Sequence, residues 1–227
     1  MRFEVIDKAN SFHADTELKL TEKYGEGSRF AKISKLENPS FLASFKAAVE
    51  RVGLCEGARV LDLGINTADE FELLGRIHSI ALFDSLELVG IDHCESALKI
   101  ARERFASSKC KFFAHDINDL DDLNLDRFDL IISVGTLHSP NIKNSKKLFM
   151  SLVQEHMSPR GALILGFPNS RWAGGENIYG AMAKNYPHPE MSVLLGDIDF
   201  CKRYLNQHKF RVTLTGKSYI FLTATKI

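Results

Sequence analysis

The chain lacks the features that would place it outside the cytoplasm or around a metal ion. Its four cysteines are widely spaced and contain no CxxC pair, which argues against a disulfide framework and against a zinc site. No apolar run approaches the ~20 residues of a membrane span. The N-terminus carries acidic residues early, unlike a signal peptide. We therefore expect a cytoplasmic protein with free thiols, no metal and no membrane partner.

An excess of charge of either sign is also absent. The 227 residues include 29 basic and 29 acidic side chains, so the chain lacks the broad positive field of many nucleic-acid-binding proteins. Local basic clusters remain, and they keep RNA open as a partner. With 44% hydrophobic and 26% charged residues, the composition is that of an ordinary globular protein. The length fits one domain with a small cap.

What the chain does have is a regular alternation of apolar strands with amphipathic helices. Helices are predicted over residues 39–52, 68–83, 95–105, 145–156 and 198–208. Strands are predicted over residues 58–63, 86–91, 110–114, 128–134, 162–167, 210–215 and 219–225, with a turn at 158–161. Repeated strand–helix units predict an α/β fold with a doubly wound, mostly parallel sheet. The last two strands are close enough for a hairpin, which adds one antiparallel strand.

The turn after the first strand is short of glycine. The strand ends at Gly64, and the positions where a nucleotide-binding loop usually has its second and third glycines hold Asn66 and Ala68. Asn tolerates the left-handed backbone region better than most residues, and Ala is small. The loop can therefore keep its shape, and we expect a positive φ at Asn66. The alternative is a protein that has lost its cofactor.

Several segments, in this order, make the chain resemble the class I S-adenosylmethionine-dependent methyltransferases. They lie at residues 60–64, 90–92 with 97–102, 115–117, 128–133 and 158–163. The resemblance covers about residues 57–227, and residues 1–56 are predicted to form a small helical N-terminal cap. It implies a Rossmann-like methyltransferase fold, with a seven-stranded sheet that has one antiparallel strand. It also implies S-adenosyl-L-methionine as the cofactor, bound across the carboxyl edge of the sheet.

Residue chemistry and the resemblance together predict the cofactor contacts. Gly64 lets the backbone approach the cofactor closely, Asp62 offers a carboxylate to its amine, and Asp92 accepts hydrogen bonds from ribose hydroxyls. The predicted set is Asp62, Gly64, Ile65, Asn66, Asp92, His93, Asp116, Ile117, Val134 and Gly135. Other interpretations stay open: Gly64 as a plain turn, Asp92 as a helix N-terminal acid, and Asp116 as part of a solvated acidic loop.

Predicted substrate contacts come from the loops after the fourth and fifth strands, because loops on a rigid scaffold carry function. The segment near 168–194 is long for an irregular connection, which is typical of a substrate loop. The predicted residues are His138, Asn169, Arg171, Trp172 and Tyr179. His138 is the candidate catalytic base, although a structural histidine is the favoured interpretation. Arg171 either holds an anion or stays solvated, and Trp172 either stacks on substrate or anchors the loop. On family analogy alone, Tyr24 and Arg29 would close over the donor.

The predicted activity is methyl transfer to a small molecule by in-line displacement from the sulfonium donor. Such a reaction needs alignment and exclusion of water more than a dedicated catalytic residue. Two alternatives stay open. One is an RNA acceptor, with tRNA as the leading case, and the other is a non-catalytic relative that binds the cofactor. The sequence defines neither the acceptor nor the oligomeric state.

Overall fold

One seven-stranded sheet organises the fold. The computed structural model describes residues 20–22, 24–28, 30–32, 34–139, 141–168, 172–173, 176–177, 191–217 and 219–227. The strands of the sheet are β1 (Arg59–Leu63), β2 (Glu87–Asp92), β3 (Cys110–Ala114), β4 (Phe128–Val134), β5 (Met157–Pro168), β8 (Phe210–Gly216) and β9 (Tyr219–Lys226). A separate two-stranded pair consists of β6 (Trp172–Ala173) and β7 (Glu176–Asn177).

The order of the strands is β3-β2-β1-β4-β5-β9-β8. Strands β1 to β5 pair in parallel, and β9 runs antiparallel to both of its neighbours, β5 and β8. The predicted fold class, a mostly parallel sheet with one antiparallel strand from a terminal hairpin, is confirmed. Because β1 to β4 are parallel and adjacent, the loops at their carboxyl ends lie along one edge.

Helices cover both faces of this sheet. They are α1 (Pro39–Val52), α2 (Asp69–Ile77), α3 (Ile80–Ser85), α4 (Glu95–Arg104), α5 (Ser145–Ser151) and α6 (Met191–Gln207). Helix α1 begins after Asn38, whose side chain accepts a hydrogen bond from the Phe41 amide, and ends at Gly53, which has a positive φ. None of the helices in the described ranges combines the length and apolar character needed to span a membrane.

The core has two layers, since alternate residues of a strand point to opposite faces. Leu61 packs on the side of α5 and α6. Val60 packs on the other side, with Phe45 of α1 and Phe71 of α2. Helix α1 also contacts β9, where Phe45 lies 6.0 Å from Phe221 between ring centroids. The division into a cap and a methyltransferase domain at residues 56 and 57 stays a prediction.

The structure corrects three predicted elements. The helix expected over 68–83 is two helices, because Ser79 interrupts it and caps α3 by accepting a hydrogen bond from the Leu82 amide. The helix expected over 145–156 ends its last turn as a π-helix, Leu152–His156. The turn expected at 158–161 belongs to β5, where an irregularity in the pairing with β4 accommodates the Pro-Arg-Gly sequence.

Candidate cofactor and acceptor site

A cleft lies at the carboxyl edge of the parallel strands. It contains about 1040 Å³ of space not filled by protein atoms, including its open mouth. Its wall follows the sheet from the end of β3 through β2, β1 and β4 to β5 and the start of β9. Nine of the predicted site residues line it: Gly64, Asn66, Asp92, His93, Asp116, Ile117, Val134, Gly135 and His138. This is the position at which open α/β sheets bind ligands.

The loop after β1 keeps the shape of a glycine loop without its second and third glycines. Gly64, Asn66 and Ala68 have φ values of 76°, 49° and 69°, so the predicted positive φ of Asn66 is observed. At Gly64 a side chain is excluded, since a Cβ would lie 2.1 Å from Thr136 Oγ1. That hydroxyl is held in place by donating to the Leu63 carbonyl at 3.0 Å.

Asn66 uses its side chain to tie the N-terminal segment to this loop. Its Nδ2 donates to the Tyr24 carbonyl at 2.9 Å. Its backbone N–H donates to Asp92 Oδ2, also at 2.9 Å. A glycine at this position would make only the second bond. Asn66, which stands where the glycine pattern has its second glycine, therefore holds the backbone of Tyr24 at the cleft.

Asp92 ends β2 with both carboxylate oxygens fixed by backbone amides. Oδ2 accepts from Asn66 as described, and Oδ1 accepts from the Cys94 amide at 2.9 Å. The residue is 6% exposed and lines the cleft. Each oxygen keeps capacity for a further hydrogen bond. Next to it, His93 Nε2 is buried and has no hydrogen-bond partner among the described residues.

Asp116 follows β3 and caps the short 3-10 helix Ile117–Leu123. Its Oδ1 accepts from the backbone and side-chain nitrogens of Asn118, at 2.9 and 2.7 Å. Partial burial acts to raise the pKa of Asp116, but these hydrogen bonds, together with Lys143 and His93, lower it below the ordinary value. Asn118 also lines the cleft, although no sequence pattern indicated it.

Two of the predicted contacts lie behind the wall of the cleft. Asp62 and Ile65 are each 1% exposed. The Oδ2 atom of Asp62 has no hydrogen-bond partner within the described part of the chain. Burial raises the pKa of Asp62 well above its ordinary value, and the neighbouring Glu70 raises it further. Ile65 packs beside Gly90 of β2. Their assignment to the cofactor stays a prediction.

Lys35 is a cleft residue that the sequence did not indicate. It begins a short 3-10 helix, Lys35–Glu37, that precedes α1 and is capped by Ser34. Its Nζ lies 2.5 Å from Oε1 of Glu70, which is 1% exposed. Burial acts to lower the pKa of Lys35, but Glu70, Tyr219 and Asp62 raise it above its ordinary value. The ion pair with Glu70 therefore favours the charged form of the lysine. Its partner lies 35 residues away, so no local pattern marks it.

A family model described as "Methyltransferase domain" matches residues 54–205. The chain belongs to this family. The match confirms the predicted methyltransferase domain.

Solved methyltransferase structures share the fold at low sequence identity. A SAM-dependent methyltransferase from Aquifex aeolicus is 18% identical with a TM-score of 0.58, over 87% of this chain and 98% of that one. The N-methyltransferase NodS from Bradyrhizobium japonicum WM9, solved with S-adenosyl-L-homocysteine, is 14% identical with a TM-score of 0.55, over 84% and 89%. A ribosomal-protein methylase from Lactobacillus delbrueckii subsp. bulgaricus is 14% identical with a TM-score of 0.53, over 82% and 77%. No curated protein matches the sequence. These structures support the fold alone.

The acceptor side of this methyltransferase domain is only partly described. His138 lines the cleft, with its ring centroid 6.1 Å from that of Phe167. Tyr24 also lines the cleft, as the family analogy implied, and its ring contacts Phe30 at 5.3 Å. Residues Arg29, Asn169, Arg171 and Tyr179 lie outside the described residues, as does the side chain of Trp172 in β6. Their predicted roles stay predictions.

Away from the cleft, three side chains form a group that could hold a metal ion. Ligand atoms of Asp121, Glu155 and His156 lie within 4.8 Å of one another. Asp121 Oδ1 and His156 Nε2 are 3.0 Å apart, and both acids are exposed. A hydrogen bond between histidine and carboxylate accounts for this arrangement.

Proposed function

We propose that this protein transfers a methyl group from S-adenosylmethionine to a small-molecule acceptor. The observation that carries the proposal is Asp92, whose carboxylate is fixed by two backbone amides and lines a cleft at the carboxyl edge of the sheet. A carboxylate held in this way accepts hydrogen bonds from the two hydroxyls of a ribose.

The order of the strands sets the direction of the donor. Asp116 and Ile117 follow β3 and would hold the adenine, and Asp92 follows in β2 for the ribose. Gly64, directly after β1, and Gly135, directly after β4, come next, and they would hold the amino-acid portion. The fit is supported by Gly64, which lines the cleft and presents backbone there without a side chain. It is also supported by His93, which lines the cleft with a buried ring nitrogen that has no hydrogen-bond partner among the described residues.

In this arrangement the protein orients the two substrates and shields them from water, and its own side chains need not react. The donor supplies a methyl group that is already activated on a sulfonium. Tyr24 and Phe30 cover the cleft from the N-terminal side, and Pro168 and Tyr219 close it at the end of β5 and the start of β9. These side chains exclude water and align the acceptor. His138, which lines the cleft, would take a proton from an acceptor that must lose one.

Two features favour a small acceptor over RNA. The cleft is covered by aromatic side chains of the N-terminal segment, and the net charge of the chain is zero. Neither feature provides the extended basic surface that polyanions need. The cytoplasmic location stays a prediction from the sequence.

The proposal is tested in two stages. Calorimetric titration with S-adenosylhomocysteine is expected to give micromolar binding at a single site. Donor carrying a labelled methyl group is then incubated with the protein and either a small-metabolite extract or bulk tRNA. We expect label in the metabolite fraction, and heat-denatured protein is the control. Absence of binding at millimolar ligand overturns the donor assignment, and label in tRNA alone overturns the acceptor class.

A further inference from the structure

Tyr219 closes the cleft at the end where β5 and β9 meet. It is the first residue of β9 and pairs with Pro168, the last residue of β5. Its ring packs edge-to-face on the buried ring of Phe41 of α1, with 5.4 Å between the ring centroids. Strand pairing and this aromatic contact hold the ring in place, and its hydroxyl end reaches the cleft.

The space in front of Tyr219 lies beside Gly135. A Cβ on Gly135 would lie 3.8 Å from the Tyr219 hydroxyl oxygen and 3.9 Å from Cε1 of the same ring. Apart from the chain neighbours of Gly135, no other described residue has an atom within 4 Å of this point. At Gly64, by contrast, Thr136 fills the corresponding space. The position beside Gly135 is therefore open to a ligand, and the Tyr219 hydroxyl bounds it.

The Tyr219 hydroxyl is available for a hydrogen bond, because none joins it to the residues that the structure describes. Burial raises the pKa of Tyr219, and the nearby Lys35 offsets only part of this effect. The phenol is therefore neutral at neutral pH. Its oxygen can accept a hydrogen bond from an N–H or O–H group of a ligand.

The order of the strands places Tyr219 on the acceptor side of the donor. In the proposed arrangement the donor runs from the end of β3 to the ends of β1 and β4, and β5 and β9 follow β4 in the sheet. An acceptor that approaches the sulfonium from the free end of the cleft therefore meets Pro168 and Tyr219. His138, in the loop after β4, lines the same cleft.

We infer that the Tyr219 hydroxyl positions the acceptor by accepting a hydrogen bond from the atom that is methylated. This contact requires a nitrogen or oxygen nucleophile that carries hydrogen. Its lone pair forms the bond to the methyl carbon, and the carbon–sulfur bond breaks with its electron pair left on sulfur. The surplus proton of the methylated atom then leaves to His138 or to water. The inference rests on the proposed function, since it takes the donor direction from Asp92.

Sinefungin tests whether the hydroxyl lies at the point of transfer. In this ligand a carbon that bears an ammonium group replaces the sulfonium and its methyl, so N–H groups stand where the methyl is transferred. Calorimetry compares it with S-adenosylhomocysteine in the unaltered protein and in Tyr219→Phe, which keeps the ring and its contact with Phe41. Loss of a hydrogen bond to a charged group should weaken sinefungin binding about ten- to a hundredfold. Binding of S-adenosylhomocysteine should change by less than about twofold.

A second measurement follows the transfer itself. With saturating labelled donor, label entering the small-metabolite extract should appear at least about tenfold more slowly in Tyr219→Phe, because the acceptor is misplaced. Tyr204→Phe is the matched control. Tyr204 lies on α6, away from the cleft, and its hydroxyl is bonded to Gln154. This variant should match the unaltered protein in both measurements, and melting temperatures show whether each variant is folded.

The outcomes are distinct. Selective loss of sinefungin binding together with slower transfer supports the inference. Equal weakening of both ligands, unchanged sinefungin binding or an unchanged rate of transfer overturns it and makes Tyr219 a structural residue. If the unaltered protein binds neither ligand, or binds them and transfers no label, the proposed function itself fails and the inference fails with it.

Discussion

The ends of β1 and β2 share one sequence signature and have different physical roles. Each is an apolar strand with an acid close to its end, Asp62 in β1 and Asp92 in β2. Asp92 is the last residue of its strand, lines the cleft and has both oxygens hydrogen-bonded. Asp62 is 1% exposed, lies behind the wall and has an oxygen without a hydrogen-bond partner in the part of the chain that the structure describes. An apolar strand with an acid near its end therefore marks the binding edge of the sheet. Whether the acid reaches a ligand depends on its position within the strand.

The difference follows from strand geometry. Asp62 is the last residue but one of β1, and it pairs with both Gly90 of β2 and Ile132 of β4. Its side chain lies on the same face as that of Val60, where α2 packs. The β1 end therefore provides backbone shape, through Gly64 and the loop that follows. The β2 end provides a side chain for the ligand.

The largest expected effect concerns the shape of the β1 end. Gly64→Ala places a Cβ 2.1 Å from Thr136 Oγ1 at a φ of 76°. Overpacking and the left-handed backbone together should lower the free energy of unfolding by about 3 kcal/mol. Urea denaturation measures this. Gly57→Ala is the matched control, since its φ is 73° but a Cβ there meets nothing within 4 Å. It should cost only about 1 kcal/mol. Equal losses would show that the clash with Thr136 is unimportant.

The next effect concerns the ligand contact at the β2 end. Asp92→Asn keeps the size of the side chain but removes its charge and turns an acceptor into a donor facing a backbone N–H. Affinity for S-adenosylhomocysteine should fall by about tenfold or more, as measured by calorimetry. Asp84→Asn, on the exposed α3 and away from the cleft, should bind like the unaltered protein. Unchanged affinity in Asp92→Asn would remove the proposed ribose contact.

A smaller effect is expected from the buried acid of β1. The pKa of Asp62 is raised in the folded protein. At a pH between the ordinary carboxyl pKa and this raised pKa, the folded state therefore binds more protons at Asp62 than the unfolded state does. Stability from this group is therefore lost as the pH rises from the ordinary carboxyl range through the raised pKa. Asp62→Asn should be the more stable protein at pH 8, by about 1 kcal/mol, and the difference should shrink toward pH 4.

Urea denaturation at a series of pH values checks this prediction. The exposed Asp84→Asn provides the control, because its pH dependence should follow that of the unaltered protein. Identical pH dependence in Asp62→Asn and the unaltered protein would mean that Asp62 is ionised in the folded state.

The smallest effect is expected at Ala68, in the loop after β1. Ala68→Gly relieves the strain of a φ of 69° but removes a fully buried methyl group worth about 0.8 kcal/mol. It also adds conformational freedom to the unfolded chain. The free energy of unfolding should change by less than about 0.5 kcal/mol. Ala101→Gly, equally buried but helical in α4, should lose about 1.5 kcal/mol. Equal losses at the two positions would show that Ala68 is unstrained.

The sequence predicted the sheet and much of the cleft because both depend on local patterns. Continuous apolar runs mark parallel strands, and the acids and glycines at their ends mark the binding edge. This brought Asp92, Asp116 and Gly135 to the cleft as expected. The break between α2 and α3 was missed because it depends on Ser79, which caps α3. Apolar periodicity alone does not detect a capping residue.

The residues that were missed depend on contacts distant in sequence. Lys35 is held at the cleft by its ion pair with Glu70, and Thr136 packs closely against Gly64. Tyr219 reaches the cleft because β9 pairs with the end of β5, opposite Pro168. Asp62 and Ile65 were predicted as contacts because their strand ends at the cleft, but their individual depth depends on how helix α2 and strand β2 pack on them.

The ties of the N-terminal segment to the cleft have a consequence for ligand entry. Tyr24 is held by Asn66, Glu22 is held by Ser96 of α4, and Lys35 is held by Glu70. Asn66 and Glu70 lie in or next to the loop after β1, which forms part of the wall of the cleft. Ser96 follows Asp92 by four residues. Release of the segment and filling of the cleft are therefore linked equilibria. A bound ligand should slow hydrogen exchange at residues 24–37 as much as at the cleft itself.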